Sequence, residues 1–162
     1  MNWREAFLRQ ARSENSVRNR LNDPQIEYSH RLHYLQMDTE KLAKGYRAPP
    51  NDYDHSPQVH TGFVRFLQTL KGNISIRGIL RYGPGPGFNL FIDSLLDLAT
   101  KIEQLAPSAA GLTKPNPEYP LRDIGTGEIR APVDYDFPGF SPRELSMIRM
   151  EALIRQLLPI QN

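Results

Sequence analysis

Apolar side chains recur every three or four positions through most of this sequence, the spacing that gathers them on one face of an α-helix. Trp3, Phe7, Leu8, Ala11, Val17 and Leu21 predict a helix over 2–21 with a thin apolar stripe. Asn22-Asp23-Pro24 offers a cap with proline at the first helical position, so a second helix is predicted over 24–44. Its inward residues are Ile26, Leu32, Leu35, Met37 and Leu42, and Gly45 is its expected stop. The two helices are expected to pair antiparallel. Three prolines between Arg47 and Pro57 predict a loop, because proline lacks the N–H that a helix interior needs. Ser56 and Pro57 then open a third helix with Val59, Phe63, Phe66, Leu67 and Leu70, stopped at Gly72-Asn73. Ile74, Ile76, Ile79 and Leu80 fit either a short strand or another helical turn.

After Gly83-Pro84-Gly85-Pro86-Gly87, a fourth strong stripe (Leu90, Phe91, Leu95, Leu98, Ile102, Leu105) predicts a helix over 88–106. The last helix is predicted over 142–158. Ser141 and Glu144 form the reciprocal pair of a capping box, Pro142 takes the first helical position, and Phe140 is placed to staple onto Leu145. Leu145, Met147, Ile148, Met150, Ala152, Ile154, Leu157 and Leu158 cover more than half its circumference, which implies burial on two sides.

Between these two helices the periodicity stops. Residues 107–140 hold Pro107, Pro115, Pro117, Pro120, Pro132 and Pro138, an extended arm longer than the usual loop of a compact domain. Within it, Leu121–Arg130 has two short segments around Gly125-Thr126-Gly127, the pattern of a β-hairpin. Such a hairpin is marginal alone in water, so it must pack on its own helices or on another chain. Asp134-Tyr135-Asp136-Phe137 puts two carboxylates among two rings, suited either to a neighbour's basic groove or to an ordinary anchored loop.

Composition narrows the classes. With 162 residues and no cysteine, the chain is long enough for a core without staples and has no thiolate nucleophile, zinc–thiolate site or disulfide. No apolar run approaches the roughly 18 residues that span a bilayer, so a soluble, cytoplasmic protein, or one held inside an assembled particle, is expected. Net charge is only +2, but residues 55–92 contain no acidic side chain. Arg65, Lys71, Arg77 and Arg81 stand there among aromatics, and Arg4, Arg9, Arg12, Arg18 and Arg20 mark the first helix as basic. Cations neutralise phosphates and rings stack on bases, so these nine residues are the candidate nucleic-acid contacts; the aromatics equally fit a core.

Catalytic patterns are sparse. Glu27, His30 and His33 share a helix face and resemble half of a carboxylate–histidine metal site, with Asp52, Asp54 and His55 as further ligands in the next loop. No second Glu-x-x-His completes it. The glycine-rich segment before residue 88 does not suit a phosphate, since Pro84 and Pro86 donate no N–H and no Lys-Ser/Thr pair follows.

The sequence therefore predicts a mainly α protein: one domain with a helical body (1–106), an extended arm with a small hairpin (107–140) and a C-terminal helix (141–160). The expected body is a bundle of about five helices. The expected function is non-enzymatic, a structural or adaptor subunit of a larger protein assembly, homo- or hetero-oligomeric, of which a virion or ring-like component is one instance. No cofactor is expected. Candidate partner contacts are Tyr119, Leu121, Ile124, Ile129, Tyr135, Phe137, Met147 and Met150. The alternatives are a nucleic-acid-binding accessory protein and a metal-dependent hydrolase.

Overall fold

The computed structural model describes residues 1–49, 51, 62–110 and 114–158. Helix α1 (Trp3–Arg20) starts at Asn2, whose side chain accepts the Glu5 N–H while Glu5 reaches back to the Asn2 N–H. Helix α2 (Tyr28–Arg47) lies antiparallel beside it, as the sequence predicted. The pairing is read from its contacts: Arg4 stands over the Tyr46 ring, Lys44 over the Phe7 ring, and Arg18 meets Asp38. Asn22-Asp23-Pro24 does not begin α2. Asp23 instead accepts from the Gln25 N–H at 2.9 Å, closing a turn one step earlier than the expected start.

Gly45 does not stop α2 either, because it lies inside the helix and is buried. A Cβ there would sit 2.7 Å from Leu8 Cδ2, so this glycine lets α1 and α2 approach. The helix runs on to Arg47 and is buried around most of its circumference, which makes it the centre of the bundle rather than one amphipathic wall.

The expected third helix begins, among the described residues, as α3 (Phe63–Leu70); its predicted start at Ser56 and Pro57 lies outside them. Its N-terminus is capped from a distance. Glu103 Oε1 accepts the N–H groups of Gly62 at 2.7 Å and Val64 at 3.0 Å, so a carboxylate from another helix does the work of a local cap. Asn73 caps α4 (Ile74–Ile79) through the Ile76 N–H, which decides for the helical alternative and against the strand.

The single helix expected over 88–106 is two, α5 (Gly87–Asp93) and α6 (Leu96–Gln104). At the break Ser94 donates its hydroxyl to the Phe91 carbonyl at 2.7 Å, a local bond that competes with helix continuation. Leu95 is thereby buried while Leu90, expected inside, is exposed. A short α7 (Pro107–Ala110) follows.

In the arm, β1 (Leu121–Arg122) pairs antiparallel with β2 (Ile129–Arg130), with Leu121 opposite Arg130 and Arg122 opposite Ile129. Asp123 Oδ1 accepts from Gly125 and Thr126, bonds that hold its carboxyl below the usual range, and Gly127 takes the positive φ of 74° that the turn requires. A 3₁₀ turn at Pro132–Asp134 then packs against α2.

Helix α8 (Leu145–Leu157) starts three residues later than predicted. Ser141–Glu144 close a turn, Glu144 N–H to Ser141 carbonyl at 3.0 Å, and no side-chain cap forms. That turn sends Phe140 into the core and leaves Leu145 and Ile148 exposed, so neither the staple nor the two-sided burial holds at the start of the helix. The core joins α1–α6 to α8 around Phe63, Phe66, Phe88, Leu32 and Leu35. Each fully buried side chain of this size contributes roughly 1.5–3 kcal/mol. The outcome is the mainly α architecture with one small hairpin that the sequence predicted; among the described residues it has eight α-helical segments, because one expected helix is split, residues 74–79 are helical and the short α7 begins the segment expected to be an extended arm.

Candidate functional site

The arm is fastened to the bundle on its inner side. Leu121 is buried, Phe137 packs against the core, and Tyr28 gives its hydroxyl proton to the Phe140 carbonyl. Burial pushes the Tyr28 hydroxyl up to about 12, so it stays a donor at neutral pH. Asn116, itself buried, accepts the N–H groups of Glu118 and Tyr119. Four apolar side chains of the arm nevertheless stand open: Tyr119 is 55% exposed, Ile124 76%, Ile129 78% and Val133 48%.

The eight candidate partner residues therefore divide. Tyr119, Ile124 and Ile129 are available at the surface, and Tyr135 and Phe137 are half-buried against each other, ring centroids 6.2 Å apart. Leu121, Met147 and Met150 are not available, because they fill the chain's own core, the two methionines at 2% and 0% exposure. Val133 was missed by the sequence reading; its signal is an apolar residue beside a proline in a polar segment. Of the two carboxylates in Asp134-Tyr135-Asp136-Phe137, Asp134 is engaged locally, accepting the Ala131 N–H at 3.0 Å.

The basic candidates divide too. Arg9, Arg20, Arg65 and Arg81 are exposed, while Arg4, Arg12 and Arg77 are half-buried. Lys71 is paired with Asp93. Arg18 is 3% exposed and faces inward, so it is not a surface contact for phosphate. Its Nε lies 3.0 Å from Asp38 Oδ2 and its Nη1 3.3 Å from Glu151 Oε1 on α8, with Asn15 accepting from Nη2 at 2.8 Å. The Nε contact is an ion pair without hydrogen-bond alignment, and neither Asp38 oxygen accepts a protein hydrogen bond. Burial therefore dominates and raises the Asp38 carboxyl to about 7, although Arg18 pulls it down. This cluster ties α1, α2 and α8 together and is wholly enclosed at Asp38, which suits structure rather than turnover.

The candidate metal residues are not gathered. Glu27 precedes α2, His30 is exposed, and His33 stands 3.9 Å from Glu118. Asp52, Asp54 and His55 lie outside the described residues, among which no three metal-ligating side chains could hold an ion. No helix of the described residues is long and apolar enough to cross a membrane. No protein-family model matches this chain, and neither does any curated protein or solved structure.

Proposed function

We propose that this chain is a non-enzymatic subunit of a protein assembly, docking on a neighbouring protein through the exposed apolar residues of its arm. The observation that carries this reading is that the arm is fixed to the bundle through Leu121, Phe137 and Phe140 while its Tyr119, Ile124, Ile129 and Val133 side chains stand exposed. Exposed apolar groups on an ordered segment suit an interaction site, and a pre-ordered arm avoids the entropy cost of folding on contact. Light scattering of the eluting protein over a tenfold concentration range tests it. The wild type is expected to run as a multimer, and the Ile124→Glu/Ile129→Glu variant as a monomer with unchanged helical circular dichroism. A variant that assembles as well as the wild type would remove the arm from the interface.

A second reading has its own support. Arg9, Arg12 and Arg20 line one trough on α1 together with Ser13 and Ser16, about 380 Å³ in volume, which is a surface for a nucleic-acid backbone. Binding of a single-stranded oligonucleotide is then expected to weaken steeply with salt, log K falling by about 0.7 per phosphate contact per log unit of salt, and the slope should flatten in Arg9→Ala/Arg20→Ala. Absent or salt-independent binding would exclude it.

A further inference from the structure

A cavity of about 280 Å³ opens where the end of α4 and Phe91 of α5 meet α8. Its α8 wall is one helical face, positions 149, 152, 153 and 156, and the small Ala152 leaves the hollow between its neighbours. Leu80 and Leu153 supply an apolar floor, and the Tyr82 and Phe91 rings, 5.2 Å apart, form one side. Arg81 and Arg149 supply two guanidinium groups, and Gln156 an amide. No acidic residue lines the cavity, and neither arginine has a carboxylate partner among the described residues. A second hollow of about 360 Å³, also lined by Arg81 and Gln156, adjoins it.

The backbone at Arg81 adds an independent observation. Its φ is +58°, the one positive value of any non-glycine among the described residues. The Tyr82 N–H bonds to the Arg77 carbonyl and the Arg81 N–H to the Gly78 carbonyl, both at 3.0 Å. This is the helix-ending motif whose left-handed position glycine usually fills. Here that position holds an arginine, and its side chain lines the cavity. Residues kept in disfavoured backbone regions concentrate at ligand clamps.

We infer that this cavity binds a phosphate monoester carrying a flat apolar group, such as an aryl or nucleoside monophosphate. Two uncompensated guanidinium groups match the charge of a phosphate monoester, about −1.5 to −2 at neutral pH, and their planar forks suit its oxygens. The rings and leucines receive the organic part, and the volume is that of a small ligand rather than a polymer. The site stands apart from the arm and does not depend on the assembly reading.

Calorimetric titration of the 162-residue chain in low salt tests the inference, with phenyl phosphate, inorganic phosphate and phenol as probes. Phenyl phosphate is expected to bind saturably with one site, about tenfold or more tighter than inorganic phosphate, with phenol giving no detectable heat. Arg81→Gln and Arg149→Gln should each weaken binding about tenfold, and Ala152→Leu, which fills the hollow, should abolish it. Absence of saturable binding, equal affinity for inorganic phosphate, or unchanged binding in Ala152→Leu with native circular dichroism would each overturn the proposal.

Discussion

At pH 8, where Asp38 is mostly ionised, an Arg18→Leu variant is expected to lose about 3–5 kcal/mol of stability, the range for deleting one partner of a buried charge pair. Against a total of about 5–15 kcal/mol for a domain, this is a large share, and it lowers the melting temperature on the order of 10 °C. The cause is what remains. Without the guanidinium, fully buried Asp38 keeps Glu151 and Glu14 as electrostatic neighbours, while Arg31, also in the cluster, is paired to Glu151 at 3.7 Å. The pH dependence identifies the mechanism. Asp38 already titrates near 7 in the folded chain against 3.8 in its ordinary state, so the folded form holds a proton that the unfolded form has lost between those values. Its contribution is fully present below about pH 4 and is lost as pH rises through 7. Removing Arg18 removes the term that opposes burial, raises the folded value further and extends the loss to higher pH. Chemical denaturation at pH 5 and pH 8 should therefore show a wider gap between variant and wild type at pH 8. Arg18→Leu/Asp38→Leu should recover much of the deficit, since a buried pair replaced by apolar groups is often close to neutral. An equal deficit at both pH values, or a double variant as unstable as the summed singles, would mean that packing and not charge explains the loss.

The same cluster marks where the sequence stopped being legible. Helical periodicity located α1, α2 and α8 and the arm's hairpin, because three- and four-residue spacing and a Gly-Thr-Gly turn are local signals. It placed Ala11 in the apolar stripe but could not show that α1 also turns Glu14 and Arg18 inward, since a charged residue reads as outward until partners such as Asp38 and Glu151 are brought to Arg18 from elsewhere in the chain. The cap on α3 was hidden for the same reason: Glu103 lies 41 residues from the Gly62 N–H that it accepts. Local signals also misled. Ser141-Pro142-Arg143-Glu144 has the composition of a capping box, yet the demand of the core for Phe140 bends it into a separate turn and delays α8 to Leu145. In the candidate sites, exposed Tyr119, Ile124 and Ile129 followed from an arm rich in proline, whereas Arg149 and Gln156 gained meaning only when α8 met the end of α4.

Gly45 was misread as a stop for that reason too, and it gives the second large effect. Replacing a mid-helix glycine with alanine favours the helix by about 0.8–1 kcal/mol on propensity alone, so a stabilised protein is the outcome if Gly45 merely sits in α2. The packing predicts the opposite. A Cβ at this position meets Leu8 Cδ2 and Cγ at 2.7 Å and the Leu8 backbone nitrogen at 3.3 Å. Leu8 can swing its side chain, but the nitrogen moves only if α1 moves, and α1 is held by the Arg18–Asp38 pair and by Lys44 over the Phe7 ring. Overpacking of this kind costs about 1–3 kcal/mol, so Gly45→Ala should be destabilising by about 1 kcal/mol net and Gly45→Val, with two further methyls and no propensity gain of the same size, by about 3. The contact with Leu8 makes the claim separable. In a Leu8→Ala background the side-chain clash is gone and only the backbone approach remains, so Gly45→Ala should cost at least 0.5 kcal/mol less there, a coupling of the size that touching residues show. Urea unfolding of the four proteins measures it. A Gly45→Ala protein more stable than the wild type would place α1 farther from α2 than the structure does, and with it the inward turn of Arg18.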